Sequence, residues 1–260
     1  MESRNPVFSR RGAFGQQPGR APSAQYLQTM YDAPGYAPQR SMTIDDVVVR
    51  SFLTLGTLVV AGALAWVFVP DRIASGVTLA AVVAGLIFWA IVTFGRKVNA
   101  PLVLGFAASY GVAVGVISHS YNDVYNGIVL QAVIGTALAF GAMLTVYSLR
   151  IVRVTPKFTR FALAAGLALV GLMMLNLLVS IFHVGGIGIR GNGPLGIIFS
   201  VAAILVGCLY LLLDFDSIED GVRSGAPQKT SWLAAFGLTL SLVWIYLEML
   251  RFLSRFYSRN

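Results

Sequence analysis

Seven apolar runs, separated by short polar connections, constrain this chain more than any other feature of its sequence. Each run holds about 20 residues or more, the length that an α-helix needs to cross a hydrocarbon core of about 30 Å. Only 12% of the residues are charged, whereas soluble domains carry about 25%. We therefore predict an all-α membrane protein with seven transmembrane helices. The predicted spans are Val47–Val69, Ile73–Phe94, Ala100–His119, Gly127–Ser148, Phe158–Phe182, Gly193–Leu213 and Trp232–Phe256.

The first 41 residues have a different composition from the rest of the chain. They contain five of its ten prolines, together with many Gln, Ser, Gly and Arg residues. Such a segment cannot bury a hydrophobic core. We predict a disordered cytoplasmic tail over residues 1–41 and a seven-helix transmembrane domain over residues 42–260. Thr43 is the expected N-cap of the first span, and Asp45 and Asp46 suit the positive end of its helix dipole.

The basic residues predict the orientation of the chain in the membrane. The net charge is +8, but it lies in connections and tails rather than on one face, which argues against nucleic-acid binding. The positive-inside rule places the N-terminus in the cytoplasm, although the C-terminal tail does not fit this pattern. The basic residues on the N-terminal side are Arg40, Arg50, Arg96, Lys97, Arg150, Arg153, Lys157, Arg160, Arg223 and Lys229.

Two carboxylates stand at or inside the apolar runs. Asp214 follows the sixth run directly, and Glu248 lies within the seventh. A charge at the centre of a bilayer costs about 2.5–3.5 kcal/mol on insertion scales, so an intramembrane acid is a functional hypothesis by default. Asp216 is two residues from Asp214 and would point about 160° away on a helix. Only one of the two can then face inward, and the other would join an acidic edge with nearby Glu and Asp residues.

The seventh run places a second polar residue near Asp214. Folding the hairpin about residues 227–228 brings Ser241 level with Asp214, and Ser241 and Glu248, seven residues apart, share a helix face. We expect Asp214 and Glu248 to face a shared polar interior. The alternatives are an interfacial helix end for Asp214 and a structural ion pair with Arg251 for Glu248.

Other polar residues give weaker signals. Gln131 and Asn176 lie inside spans, where they predict interhelical hydrogen bonds or, second, the lining of a polar cavity. The two histidines, His119 and His183, lie at span ends on the side opposite to the acids, and we expect neither to have a carboxylate at metal-binding distance. No nucleophile and base stand together, so we expect no catalytic residue and no enzyme. An aspartyl protease would need two carboxylates that share a proton.

Several segments resemble the Bax-inhibitor (TMBIM) family, and in particular its actinobacterial members. The similar segments are MYDAPGYAP (30–38), SMTIDDVV (41–48), GRKVNAPL (95–102), SHSY (118–121), VLQAVIGTALAFGAML (129–144), LYLLLDFDSIE (209–219) and YLEMLRFL (246–253). The resemblance implies a compact bundle in which six helices surround the C-terminal one. It also implies a multi-pass protein of the bacterial cytoplasmic membrane that leaks calcium in a pH-sensitive way.

The resemblance also assigns site residues. The family's proposed sensor is a pair of aspartates, with a basic residue after the second span able to engage them. Asp214 matches the first aspartate, Ser241 stands at the position of the second, and Arg96 or Lys97 matches the basic residue loosely. The match implies that Asp214 is the inward acid, and Asp216 then joins the acidic edge. Glu248 then takes over the acidic role from two turns away, or the pH sensing is altered or lost.

These observations lead to two function hypotheses. The first is a pH-sensitive calcium leak channel without a cofactor, in which Asp214 and Glu248 bind the permeant ion transiently through oxygen ligands. Protonation of Asp214 would break its pairing with the basic residue and bias a closed–open equilibrium. The second is a membrane regulatory protein that acts on a membrane protease or stress response through its N-terminal tail. A transporter would favour inverted repeats, and the sequence shows none that is convincing.

Overall fold

The computed structural model describes residues 40–95, 98–183, 185–191 and 193–258. Within them, the chain forms seven α-helices, each with a stretch long and apolar enough to cross a membrane. The helices are α1 (Ile44–Phe68), α2 (Asp71–Phe94), α3 (Ala100–Val124), α4 (Ile128–Ser148), α5 (Pro156–Phe182), α6 (Pro194–Arg223) and α7 (Ser231–Tyr257). The predicted all-α fold with seven spans is confirmed. Most of the predicted tail, residues 1–39, lies outside the described residues.

Helix α1 begins with a capping box. The Thr43 hydroxyl accepts a hydrogen bond from the Asp46 backbone N–H at 3.2 Å, and the Asp46 carboxylate accepts one from the Thr43 N–H at 3.1 Å. These bonds satisfy backbone donors that have no partner within the helix. The predicted N-cap is therefore confirmed, and Met42 just before it is buried.

Helix α6 is longer than its apolar run. It continues to Arg223, ten residues beyond the predicted end at Leu213, so Asp214 and Asp216 lie inside the helix. Hydropathy marks where the hydrocarbon ends rather than where hydrogen bonding ends, and the polar residues after Leu213 continue the helix. The chain turns at Gly225, whose φ of 66° suits glycine.

Helices α1 and α3 approach each other closely through glycines. Gly111 packs against the backbone of Leu58, and Gly115 packs against Gly62. A Cβ atom on Gly115 would overlap the Gly62 carbonyl group. In lipid, the hydrophobic effect does not drive helices together, so such close contacts between backbones stabilise the pair through van der Waals packing.

Helix α7 lies at the centre of the bundle. It packs against α1, α3, α4 and α6, whereas α2 packs mainly on α3 and α5 on α6. Ala235, Ile245 and Leu250 of α7 are fully buried. The outer helices instead expose large apolar side chains such as Phe94 and Phe182, as surfaces in contact with lipid acyl chains do.

Candidate functional site

A polar stripe runs along the buried face of α7. Ser241, Glu248 and Arg255 follow one another at intervals of seven residues, which places them on one side of the helix. Their exposed fractions are 8%, 2% and 4%, respectively. All three contact α6, and the stripe therefore defines the interface at which the candidate site lies.

Asp214 occupies one end of this interface. The Ser241 hydroxyl donates a hydrogen bond to Asp214 Oδ2 at 2.5 Å, so the expected juxtaposition of these two residues is confirmed. One turn before Ser241, Gly237 leaves room for the carboxylate, and a Cβ atom there would lie 2.9 Å from Asp214 Oδ1. Among the described residues, no basic side chain forms an ion pair with Asp214. The Asp214 carboxylate thus accepts a hydrogen bond from the Ser241 hydroxyl and lies against the backbone of Gly237.

Glu248 has a different environment at the other end of the interface. Its carboxylate forms an ion pair with Arg251 and lies 3.5 Å from the Ser200 hydroxyl. The Arg255 guanidinium donates to that same hydroxyl and to the Gly196 carbonyl. The structural ion pair that was the alternative for Glu248 is therefore present. One carboxylate and two guanidinium groups lie together here, so the Glu248 charge is compensated.

Apolar side chains separate the two carboxylates. Ala203 and Leu211 of α6 and Ile245 of α7 are fully buried, and Gly207 lets Ile245 pack tightly against α6. Seven residues of helix between Ser241 and Glu248 correspond to about 10 Å. Both carboxylates reach the interior, but they do not share one polar interior in this conformation. A groove of about 590 Å³ lies between α2 and α3, and neither Asp214 nor Glu248 lines it.

Asp216 does not join Asp214. It is partly exposed and lies near an acidic edge formed by Glu219 and Asp220. Glu219 accepts a hydrogen bond from Tyr147 and lies 3.9 Å from Arg150. The expectation that Asp214 and Asp216 face different ways agrees with this arrangement. Arg96 and Lys97, the predicted basic partners of Asp214, lie outside the described residues.

Gln131 and Asn176 make hydrogen bonds away from both acids. Gln131 is exposed and donates to the Tyr257 hydroxyl of α7 at 2.6 Å. Asn176 is buried and accepts a hydrogen bond from the Ile187 backbone N–H at 3.0 Å. The Gln131 contact is an interhelical hydrogen bond, which was the first of the two predicted roles. The Asn176 contact is not interhelical, because Ile187 lies in the connection between α5 and α6.

Three residues of this interface were not predicted from the sequence. Gly237 precedes Ser241 by one helical turn and Arg255 follows Glu248 by seven residues, so the helical period could have identified both. Ser200 gives no such signal, because its place beside Glu248 depends on how α6 packs along α7.

The prediction for His119 is wrong. His119 Nδ1 lies 3.2 Å from a carboxylate oxygen of Asp123 and 3.8 Å from one of Asp71. The Asp123 contact follows from an i, i+4 spacing on α3, which the sequence shows. Asp71 begins α2, and only the packing of α2 on α3 brings it to His119.

Seven membrane-spanning helices with a buried carboxylate define a multi-pass membrane protein with a polar site in its interior. A family model described as Bax inhibitor 1 like matches residues 5–258, and the chain therefore belongs to the Bax inhibitor 1 like family. A search of curated proteins gives no significant match.

Proposed function

We propose that this protein is a cation leak channel that passes calcium through a bacterial cytoplasmic membrane and is controlled by protonation of Asp214. The observation that carries the proposal is the environment of Asp214, which is held by Ser241 without a described basic partner. Membership of the Bax inhibitor 1 like family supports it, since that family is linked to membrane transport. The proposal includes a cytoplasmic N-terminus and no enzymatic activity.

Asp214 is the better of the two candidate calcium ligands. An ionised carboxylate in the bundle attracts a divalent cation, and the Ser241 hydroxyl supplies a further oxygen ligand. Protonation removes that charge and, with it, most of the attraction. Glu248 already interacts with Arg251, so a calcium ion would have to compete with that ion pair.

Opening requires that the apolar layer between the two acids separates. Leu211 and Ile245 are fully buried there, and an ion cannot cross such a layer without losing its hydration. A change of charge at Asp214 acts directly on the contact between α6 and α7. Leu211 and Ile245 belong to that same contact. We propose that this contact has a closed arrangement, described above, and an open one.

Calcium flux into proteoliposomes between pH 6 and pH 8 tests the proposal. In the parent protein, flux should change with pH, whereas Asp214→Asn should give flux that no longer depends on pH. Asp216→Asn is the matched control, because it removes a neighbouring carboxylate from the same helix and should behave like the parent. Parent-like pH dependence in Asp214→Asn would overturn the proposal, and Glu248→Gln shows whether the second acid contributes.

A second candidate function is regulation of a membrane protease through the N-terminal segment. One observation favours it: the chain at Arg40 and Met42 hydrogen bonds to the turn between α6 and α7. Whatever binds the preceding 39 residues is thereby connected to the hairpin that carries Asp214. Deletion of residues 1–39 separates the two functions, because a channel keeps its calcium flux and a regulator loses copurification of its protease.

A further inference from the structure

We propose that Asp71, His119 and Asp123 form a binding site for a divalent transition-metal ion such as Zn²⁺. The site is distinct from Asp214, and it lies where α2 begins and α3 ends. One ligand atom from each residue can be chosen so that all three lie within 4.8 Å of one another. This grouping of one imidazole and two carboxylates from two helices is the observation on which the proposal rests.

The distances suit a small tetrahedral ion. His119 Nδ1 lies 3.2 Å from an Asp123 oxygen and 3.8 Å from an Asp71 oxygen. Zn²⁺ binds nitrogen and oxygen at about 2.0–2.1 Å, which puts neighbouring tetrahedral ligands roughly 3.3 Å apart. The His119–Asp123 separation already has this value, and Asp71, whose side chain is exposed, would have to move closer to complete the set.

The aromatic neighbour of His119 restrains the ring. Trp66 of α1 meets the imidazole edge to face, with ring centroids 5.1 Å apart and an angle of 87° between the planes. The side chain of His119 is 29% exposed, so one side of the ring is packed while Nδ1 faces the two carboxylates. The His119 side chain is therefore partly ordered before any ion binds, which lowers the entropy cost of binding.

The chemistry of the three side chains selects the class of ion. Imidazole nitrogen suits Zn²⁺, Ni²⁺, Cu²⁺ and Co²⁺, whereas calcium takes several oxygen ligands. The carboxylates of Asp71 and Asp123 are 86% and 52% exposed, so water can reach the ion and complete its coordination. Bound metal would connect the start of α2 to the end of α3 and would stabilise that pair of helices.

Metal titration of the purified full-length protein, freed of metal with a chelator, tests the proposal. We expect one Zn²⁺ per chain by calorimetry, a melting temperature that rises with Zn²⁺, and partial quenching of the tryptophan emission by Ni²⁺, since Trp66 is one of four tryptophans. His119→Gln and Asp123→Asn should each weaken Zn²⁺ binding by more than about 100-fold, because loss of an outer-shell partner alone costs 10- to 100-fold. His183→Gln is the matched control and should bind Zn²⁺ like the parent.

Three results would overturn the proposal. The first is no saturable Zn²⁺ binding by the parent, and the second is unchanged binding by His119→Gln and Asp123→Asn. The third is equal competition by Ca²⁺, which would indicate a general attraction of cations to exposed acids. The melting temperatures of the metal-free variants report whether they fold like the parent. Asp214→Asn should keep its Zn²⁺ binding, so this proposal and the channel proposal can fail independently.

Discussion

Asp214 and Glu248 are two carboxylates at the same interface between α6 and α7, the first partly buried and the second fully buried, and they differ in what surrounds them. Glu248 has Arg251 as an ion-pair partner and Arg255 within the same cluster. Asp214 has the Ser241 hydroxyl and the backbone of Gly237. One charge is compensated by the protein, and the other is not compensated by any described residue.

This difference shows that an acid inside a membrane protein is identified as functional by its partners and not by its depth. A buried carboxylate that is paired with a guanidinium stays ionised, and removing one partner alone leaves a buried charge that strongly destabilises the fold. An acid without a cation can change its charge with less disruption of its surroundings.

The largest effect is expected from Arg251→Gln. It would leave the Glu248 charge without its ion-pair partner, and breaking a buried pair from one side costs about 3 kcal/mol of unfolding free energy. Reversible unfolding in mixed micelles measures this change. The double variant Glu248→Gln/Arg251→Gln should recover most of the loss, and a double variant as unstable as the single one would show that the ion pair is not the cause.

Gly237→Ala should disturb the Asp214 end. The added Cβ atom would lie 2.9 Å from Asp214 Oδ1, so the carboxylate must shift, which disturbs its hydrogen bond with Ser241. We expect a loss of about 2 kcal/mol relative to the control, as overpacking usually costs. Gly171→Ala is that control, because nothing lies within 4 Å of its new Cβ atom. Equal unfolding free energies for the two variants would contradict the described contact.

Ser241→Asp would convert the Asp214 environment into a pair of carboxylates. Two carboxylates in contact share a proton, so the calcium flux should gain a steeper dependence on pH. The ratio of fluxes at pH 6 and pH 8 should change by about tenfold, equivalent to about 1.4 kcal/mol. Ser241→Asn, similar in size but uncharged, is the control. The same ratio in both variants would exclude a charge effect.

Ser241→Ala should have the smallest effect. It removes one hydrogen bond to Asp214 and should cost about 1 kcal/mol of unfolding free energy. Ser217→Ala is a matched control, since that exposed hydroxyl only bonds to the carbonyl of Asp214, three residues earlier on its own helix. A cost for Ser241→Ala no larger than for the control would mean that the contact contributes nothing measurable.

The sequence predicted the helices well because apolar length alone decides what can cross lipid. It also predicted that Ser241 lies beside Asp214, at the same height along the helix pair. A hairpin of two helices has one register when the turn between them is short. It did not predict the apolar layer around Ile245 or the place of Ser200. Those depend on which face α6 turns towards α7, and that follows from packing among side chains distant in the sequence.

The start of α1 is fastened to the turn between α6 and α7. Ser41 and Pro227 form a β-bridge, and the Gln228 side chain donates to Asp46 at 2.8 Å. Arg50 adds hydrogen bonds to the Gln228 carbonyl and the Ser231 hydroxyl. The start of the first helix is thus in direct contact with the start of the last helix. A pulling force on the segment before Arg40 would therefore act directly on the turn between α6 and α7. It would not first have to deform helices α2 to α5.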